Sequence, residues 1–254
     1  MQILLASAKI MRERCKSRGL VPTEPRFLSS AMILLQDMAR KGADELSQLF
    51  SCSPEIAQLN RERYQTMLGD EAEIMLAVLT YYGQAYKHLK ADTLSNEDLL
   101  WAQAHLWISS CLWGLLRPLD GISPYRMEGG FALPCTDGRK VNEYWREKLT
   151  DTLIESVRND DGVLVYLDTE EFRSLFDWKT VVREVKLIIE PGFHVIKNGK
   201  MTTPSVWAKT CRGAMTRYII ENRITTPESL KDFTYEGFAL NENANGGFVY
   251  TVEK

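Results

Sequence analysis

The sequence predicts an α+β fold, with helices concentrated in the first half of the chain and strands in the second. Apolar residues recur at helical spacing from Ser29 to His88, and short apolar runs bounded by turn residues follow Asp160. The two patterns do not alternate as they would in a doubly wound sheet. No repeat, low-complexity tract or Pro/Gly/Ser linker divides the chain, so one compact domain over residues 1–254 is expected.

Gln2 to Ala6 reads as a first strand rather than a signal peptide, because no positive segment precedes the apolar run. Ser7-Ala8-Lys9 then sets Lys9 just past the strand end, where ligand-contacting loops often sit; a plain surface lysine is the competing reading. Ala31, Leu34, Leu35 and Met38 share one helix face. Ser53-Pro54 opens another helix, Ala72 to Leu79 continues the set, and Ser95-Asn96-Glu97-Asp98 has the form of a capping box. Leu99 to Leu116 reads as a buried helix, apolar nearly all round through Leu106, Trp107, Ile108, Leu112 and Trp113. Pro118 and Gly121 stop it and present Arg117 and Asp120 at its exit, which fits a turn-stabilising ion pair. Ser123-Pro124-Tyr125-Arg126 makes a second turn and adds an arginine.

Val141 to Val157 is expected as a helix carrying Tyr144, Trp145 and Leu149. After Asp160-Asp161-Gly162, Val163 to Leu167 and Glu184 to Glu190 read as strands. Asn198-Gly199 between Phe193 to Ile196 and Met201 to Trp207 is a strong hairpin signal. Thr226-Pro227-Glu228 caps a further turn of helix. Glu236 to Leu240, Asn243 to Gly247 and Phe248 to Val252 close the chain as a second hairpin.

Composition narrows the function classes. A hydrophobic content of 44%, a charged content of 26% and a net charge of -3 describe an ordinary globular protein and exclude a generally basic nucleic-acid coat. No run reaches the length of a membrane helix, so a cytoplasmic protein with no membrane partner is expected. The five cysteines are odd in number, scattered and without a CxxC pair, which indicates reduced thiols rather than a disulfide framework or zinc site. The three histidines lack metal-ligand spacing, and His105 reads as a satisfied core side chain. No metal and no cofactor is expected. GxGxxG, GxxxxGK[ST], GxSxG and HExxH are absent, and the adjacent carboxylates Glu170-Glu171 and Asp160-Asp161 fit helix caps or solvent.

The segment Ala208 to Arg223 carries the strongest functional signal. At about 100° per residue, Cys211, Ala214, Met215 and Tyr218 fall in one arc that points at a core. Lys209, Arg212, Arg217 and Arg223 fall in the opposite arc, with Gly213 among them, where a missing side chain lets a phosphate approach the backbone. Ile220 also projects into the cationic arc, which suggests a helix covered on more than one side. The cations read either as a solvated face or as an anion site, and arginine forks match phosphate oxygens.

Trp113-Gly114-Leu115-Leu116-Arg117-Pro118-Leu119-Asp120, Pro124-Tyr125-Arg126-Met127-Glu128, and Ala208-Lys209 with Arg212-Gly213, Met215 and Arg217 to Arg223 together resemble the YaaA family, bacterial proteins associated with the peroxide stress response. The resemblance spans nearly the whole chain. Its departures are Ala6-Ser7-Ala8-Lys9, where the family reads Ser-Pro-Ala-Lys, Cys111 for a glycine, and Tyr166-Leu167-Asp168-Thr169 for Asn-Leu-Ala-Ser. The resemblance implies a single mixed domain of unusual topology with a positively charged cleft. It also implies binding to duplex or branched DNA, a helix-hairpin-helix-like element by analogy at Leu106 to Pro118, and a link to recombination and oxidative-stress tolerance.

Two functions are therefore carried forward. In the first, Lys9, Arg117, Arg126, Lys209, Arg212, Gly213, Arg217 and Arg223 line one cleft that binds the DNA backbone without reading bases. In the second, the same cations form an anion pocket for a small phosphorylated or nucleotide-like ligand, with Glu128 or Glu171 as general acid or base and Lys9 as nucleophile or charge clamp. A closed pocket favours the second, and a groove wide enough for a duplex favours the first.

Overall fold

The computed structural model describes residues 1–69, 72–244 and 247–254. The chain runs β1 (Gln2–Ala6), α1 (Leu28–Ala39), α2 (Ala43–Phe50), α3 (Pro54–Leu68), β2 (Met75–Leu76), α4 (Ala77–Thr80), α5 (Gln84–Leu89), α6 (Asn96–His105), β3 (Leu106–Ser110), β4 (Gly114–Leu116) and β5 (Gly121–Ile122). It continues through α7 (Val141–Arg158), β6 (Val163–Leu167), α8 (Glu170–Arg173), α9 (Trp178–Glu184), β7 (Leu187–Ile189), β8 (Gly192–Lys197), β9 (Lys200–Thr202), α10 (Ser205–Glu221), β10 (Ala239–Leu240) and β11 (Val249–Glu253). The architecture is α+β, as the sequence predicts.

A five-stranded sheet in the order β4-β3-β1-β6-β7 forms the centre. β1 pairs in parallel with β3 on one side and β6 on the other, β7 extends the parallel set, and β4 folds back antiparallel on β3. Every residue of β3 and β6 is buried, and so is β1 up to Leu5. Burial on both faces explains why Leu106-Trp107-Ile108 and Val163 to Leu167 are continuous apolar runs with no alternation. A second sheet, in the order β10-β11-β8-β9, packs into the same hydrophobic cluster through Phe193 and Tyr250. In the β8–β9 hairpin, Asn198 and Gly199 both take positive φ, at 52° and 72°, as a tight primed turn requires. β10 and β11 pair antiparallel, although part of the Asn243 to Gly247 turn lies outside the described residues.

The largest departure from expectation is Leu99 to Leu116. The helix ends at His105, and Leu106–Ser110 and Gly114–Leu116 are strands joined by a tight turn. A run that is apolar on all sides fits a strand buried in a parallel sheet as well as a buried helix, and pairing with β1 decides it. Gly114 confirms the turn: its φ is +72°, and a side chain there would meet Trp145 and Leu149 of α7. No helix-hairpin-helix forms at Leu106 to Pro118. Smaller shifts follow the same logic: Ala72 to Leu79 supplies β2 and part of α4, α9 reaches Glu184 before β7 begins, and α10 starts at Ser205.

Helix α10 packs against α5, β1, β8 and α6. Cys211, Ala214 and Met215 are buried as the wheel predicts, and Ile220 is fully buried too, so the helix is covered on more than one side. Gly213 marks the closest approach, since a Cβ built there would lie 1.8 Å from the Ala85 carbonyl oxygen of α5. Its glycine therefore serves helix packing and not access for a phosphate. Backbone cannot yield as a flexible side chain does, so Gly213→Ala is expected to lower stability by about 1–3 kcal/mol, read as a fall in the midpoint of chemical denaturation.

Candidate functional site

The connection order of the central sheet fixes where a ligand site belongs. The chain leaves β1 for β3 on one side and later returns to β6 on the other, so the loops after β1 and β6 diverge and open a crevice at their carboxyl ends. A crevice of about 380 Å³ lies there, lined by Ser7, Ala8 and Lys9 after β1, Thr169 and Glu171 after β6, Lys87 of α5, Arg126, and Lys209 and Arg212 of α10. Leu5, Ile10, Met127, Leu167 and Phe172 give it an apolar wall. Ala8 packs directly under Gly83, where a Cβ would come within 2.6 Å of the Ala8 Cβ, and this contact seats α5 against the β1 loop.

The cations differ in how they are held. Glu128 Oε1 accepts from both Lys9 Nζ and Arg126 Nη2, each at 2.8 Å, so one carboxylate ties two of the crevice cations. Arg126 Nη2 also donates to the Phe50 carbonyl at 3.3 Å. Lys209 is exposed and Arg212 half-buried, and among the described residues neither side chain forms a hydrogen bond or an ion pair. Burial lowers the Arg212 pKa, partly offset by the charge of Asp168. These two side chains keep their donors free for a ligand.

Asp168, behind the crevice lining between Leu167 and Thr169, is the residue near the site that pattern reasoning missed. Fully buried at the end of β6, it accepts from the Ser109 hydroxyl and, at 2.6 Å, from the Thr169 backbone N–H. Burial raises its pKa to about 7, against the lowering effects of those two hydrogen bonds and of Arg212. The available signal was a carboxylate directly after the apolar run Val163 to Leu167. Because the folded-state pKa lies above the unfolded value near 4, the folded state holds the proton more tightly, and the stability this contributes is full below about pH 4 and lost as pH rises toward 7. Asp168→Asn is therefore expected to flatten the fall in stability between pH 4 and 7, measured by denaturant titration at stepped pH. An unchanged slope would rule out Asp168 as the titrating group.

Tyr125 lines the crevice floor and leads into a buried hydroxyl chain, its OH 2.6 Å from Ser110 Oγ and 2.7 Å from Tyr81 OH. Thr169 adds a buried Oγ1 with no hydrogen-bond partner among the described residues. A pocket with free cations, an apolar wall and hydroxyls on its floor suits an anionic head group joined to an apolar or aromatic body.

The remaining sequence candidates lie elsewhere. Arg217 Nη1 donates to the carbonyls of Leu89 and Lys90 at 3.0 and 2.9 Å and to Thr93 Oγ1 at 2.8 Å, so it closes the carboxyl end of α5. Its other nitrogen pairs with Glu221 at 2.6 Å. Arg223 sits beyond α10, with a φ of 49°, and pairs with Asp98 at 2.7 Å beside the Trp101 ring. Arg117 lies at the opposite end of the sheet, stacked 3.4 Å over the Trp107 ring. Asp120 meets its backbone N–H at 2.7 Å and not its guanidinium, so the expected turn ion pair is a backbone cap. Lys9, Arg126, Lys209 and Arg212 thus share one crevice, and Arg117, Gly213, Arg217 and Arg223 do not line it.

Comparison with known proteins decides the family. A sequence profile described as peroxide stress protein YaaA matches residues 1–244. The chain belongs to the peroxide stress protein YaaA family. Its relatives in that family include a UPF0246 protein of Bacteroides thetaiotaomicron, 42% identical over 96% of this chain and 94% of the relative. A UPF0246 protein of Bacteroides fragilis is 43% identical over 98% and 97%. One of Bordetella pertussis is 38% identical over 88% and 87%. Among the described residues, no helix is long and apolar enough to cross a membrane.

Proposed function

We propose that this protein serves the peroxide stress response by binding a phosphate-bearing ligand in the crevice, the phosphate against Lys209 and Arg212 and an apolar body against Leu5, Met127 and Phe172. One observation carries the reading: two cations without partners among the described residues stand beside two more, Lys9 and Arg126, at the strand-order switch of the sheet. A volume of about 380 Å³ falls in the range of about 300–1,000 Å³ typical of small-ligand sites. That size suits a nucleotide-like molecule better than a duplex.

Four of the five thiols give the stress role little support. Burial raises the pKa of Cys15, Cys111, Cys135 and Cys211, the last two to about 12. Thiols held protonated are poor peroxide reductants. The ligand site is the better route to the family's role.

A second reading keeps the crevice and changes the ligand: backbone binding of duplex or branched DNA. Lys9 and Lys87 are exposed on the crevice lining, which favours contact with a strand passing outside. Two titrations distinguish the readings, one with nucleoside 5′-monophosphates followed by calorimetry and one with labelled duplex and junction DNA at stepped salt. The small-ligand reading expects saturable one-to-one nucleotide binding and only weak, steeply salt-dependent duplex binding. Tight duplex binding without nucleotide binding would overturn it in favour of DNA.

A further inference from the structure

A cavity of about 690 Å³ lies at the other end of the central sheet, beside the amino-terminal ends of β1 and β3. Gln2, Trp107, Arg117, Ser156 and Arg26 line it, so the β strands separate it from the crevice at their carboxyl ends. Arg117 has an unusual setting for a guanidinium. Its Nη1 donates to Gln2 Oε1 and the Leu106 carbonyl, both at 3.1 Å, and its Nη2 to Ser156 Oγ at 3.2 Å. Every one of those acceptors is neutral. Burial pushes its pKa down to about 10, which leaves it charged at neutral pH.

A half-buried guanidinium is often paired with a carboxylate, yet among the described residues Arg117 stacks on the Trp107 ring and forms no ion pair. The nearby acids are engaged otherwise. Asp120 accepts from the Arg117 backbone N–H and the Thr23 hydroxyl, and Asp160 accepts from Gln2 and the Met1 amino group. Three of the five guanidinium N–H groups are used in the bonds given above, and the others have no partner among the described residues. Arg26, exposed on the same cavity, forms no ion pair or hydrogen bond among the described residues and lies close enough to Arg117 to lower its pKa further. Asp120 and Asp160 on the same lining attract Arg117 and offset part of the repulsion between the two arginines; an anion held between the two guanidiniums would offset it at close range.

We infer that this cavity is a second ligand site, where Arg117 and Arg26 together hold the oxyanion of a small carboxylate- or phosphate-bearing molecule. Glu24, Asp120, Glu155 and Asp160 on the cavity lining repel an extended polyanion, which restricts the occupant to a small molecule with a single oxyanion group that reaches the two guanidiniums. The site is independent of the crevice ligand, since none of its residues lines that crevice.

The test uses the full ¹⁵N-labelled chain at constant ionic strength, titrated separately with inorganic phosphate and with acetate. It follows the Arg117 Nε–H signal and the Trp107 indole N–H, which donates to Ser156 Oγ at 2.9 Å. A saturable shift of both signals is expected with at least one of the two anions, and which anion saturates identifies the oxyanion. Arg26→Ala, an exposed change that should not disturb folding, is expected to weaken that binding about fivefold, the effect of losing about 1 kcal/mol at an exposed ionic contact. Lys209→Ala with Arg212→Ala should leave it unchanged. Shifts that stay linear with both anions, or saturate identically in the Arg26→Ala protein, overturn the site.

Discussion

Replacing Lys209 and Arg212 together with alanine is expected to weaken binding of a phosphate-bearing ligand by at least about a hundredfold. Hydrogen bonds to charged groups contribute about 1.5–3 kcal/mol each, so losing two removes about 3–6 kcal/mol, a factor of about 10² to 10⁴. The fold should survive. Lys209 is exposed, and the substitutions break no hydrogen bond or ion pair among the described residues. Arg212 does help hold down the pKa of Asp168, and the double variant should therefore shift the acid-side stability profile upward in pH without changing the far-ultraviolet circular dichroism. Calorimetric titration of wild type and variant checks the affinity. Retained binding with an intact fold would remove α10 from the site.

Glu128→Gln should act in the opposite direction and raise anion affinity about tenfold. In the resting crevice the Glu128 carboxylate occupies Lys9 and Arg126, so an incoming anion meets two cations already neutralised. Coulomb attraction at contact is about 4 kcal/mol at an effective dielectric of 20, while exposed pairs are worth about 0.2–1 kcal/mol. The Glu128 side chain is 23% exposed and Lys9 51% exposed, which sets the effect between those limits, near 1–2 kcal/mol. Glutamine keeps the shape and part of the hydrogen bonding and removes the charge. If Glu128 is also the general acid or base of a reaction, the same variant binds more tightly and turns over more slowly, and the pair of measurements separates a binding site from a catalytic one. Weaker binding would mean that Glu128 organises the cations for the ligand instead of competing with it.

Much of the fold was legible in the sequence because its signals are local. The capping box at Ser95 and Asp98 and the Asn198-Gly199 turn depend on residues within a few positions of one another, and both form as read. Leu106 to Leu116 was misread because its pairing partner is β1, about a hundred residues earlier, and an apolar run carries no period that tells a buried strand from a buried helix.

The site was legible in part for a related reason. A helical wheel gives the angle at which a side chain leaves α10, but not what stands opposite. Lys209 and Arg212 face the crevice, whereas Arg217, from the same arc, meets the end of α5. Gly213 meets the Ala85 carbonyl, a contact between helices more than a hundred residues apart in sequence. Lys9 was found because the end of a first strand is a recurrent ligand position, and Arg126 because it follows a turn. Asp168 escaped because its importance comes from burial beside Ser109, which only the pairing of β1 with both β3 and β6 creates.

The central claim is that the crevice at the carboxyl ends of β1 and β6 binds a phosphate group between Lys209 and Arg212. Crystals of the full chain soaked in sodium tungstate, a heavy tetrahedral oxyanion, test it by anomalous scattering. The account predicts a peak within hydrogen-bonding reach of the Arg212 guanidinium and the Lys209 ammonium, absent from crystals of the double alanine variant. Tungstate bound at other sites, with this crevice accessible and empty, would contradict it.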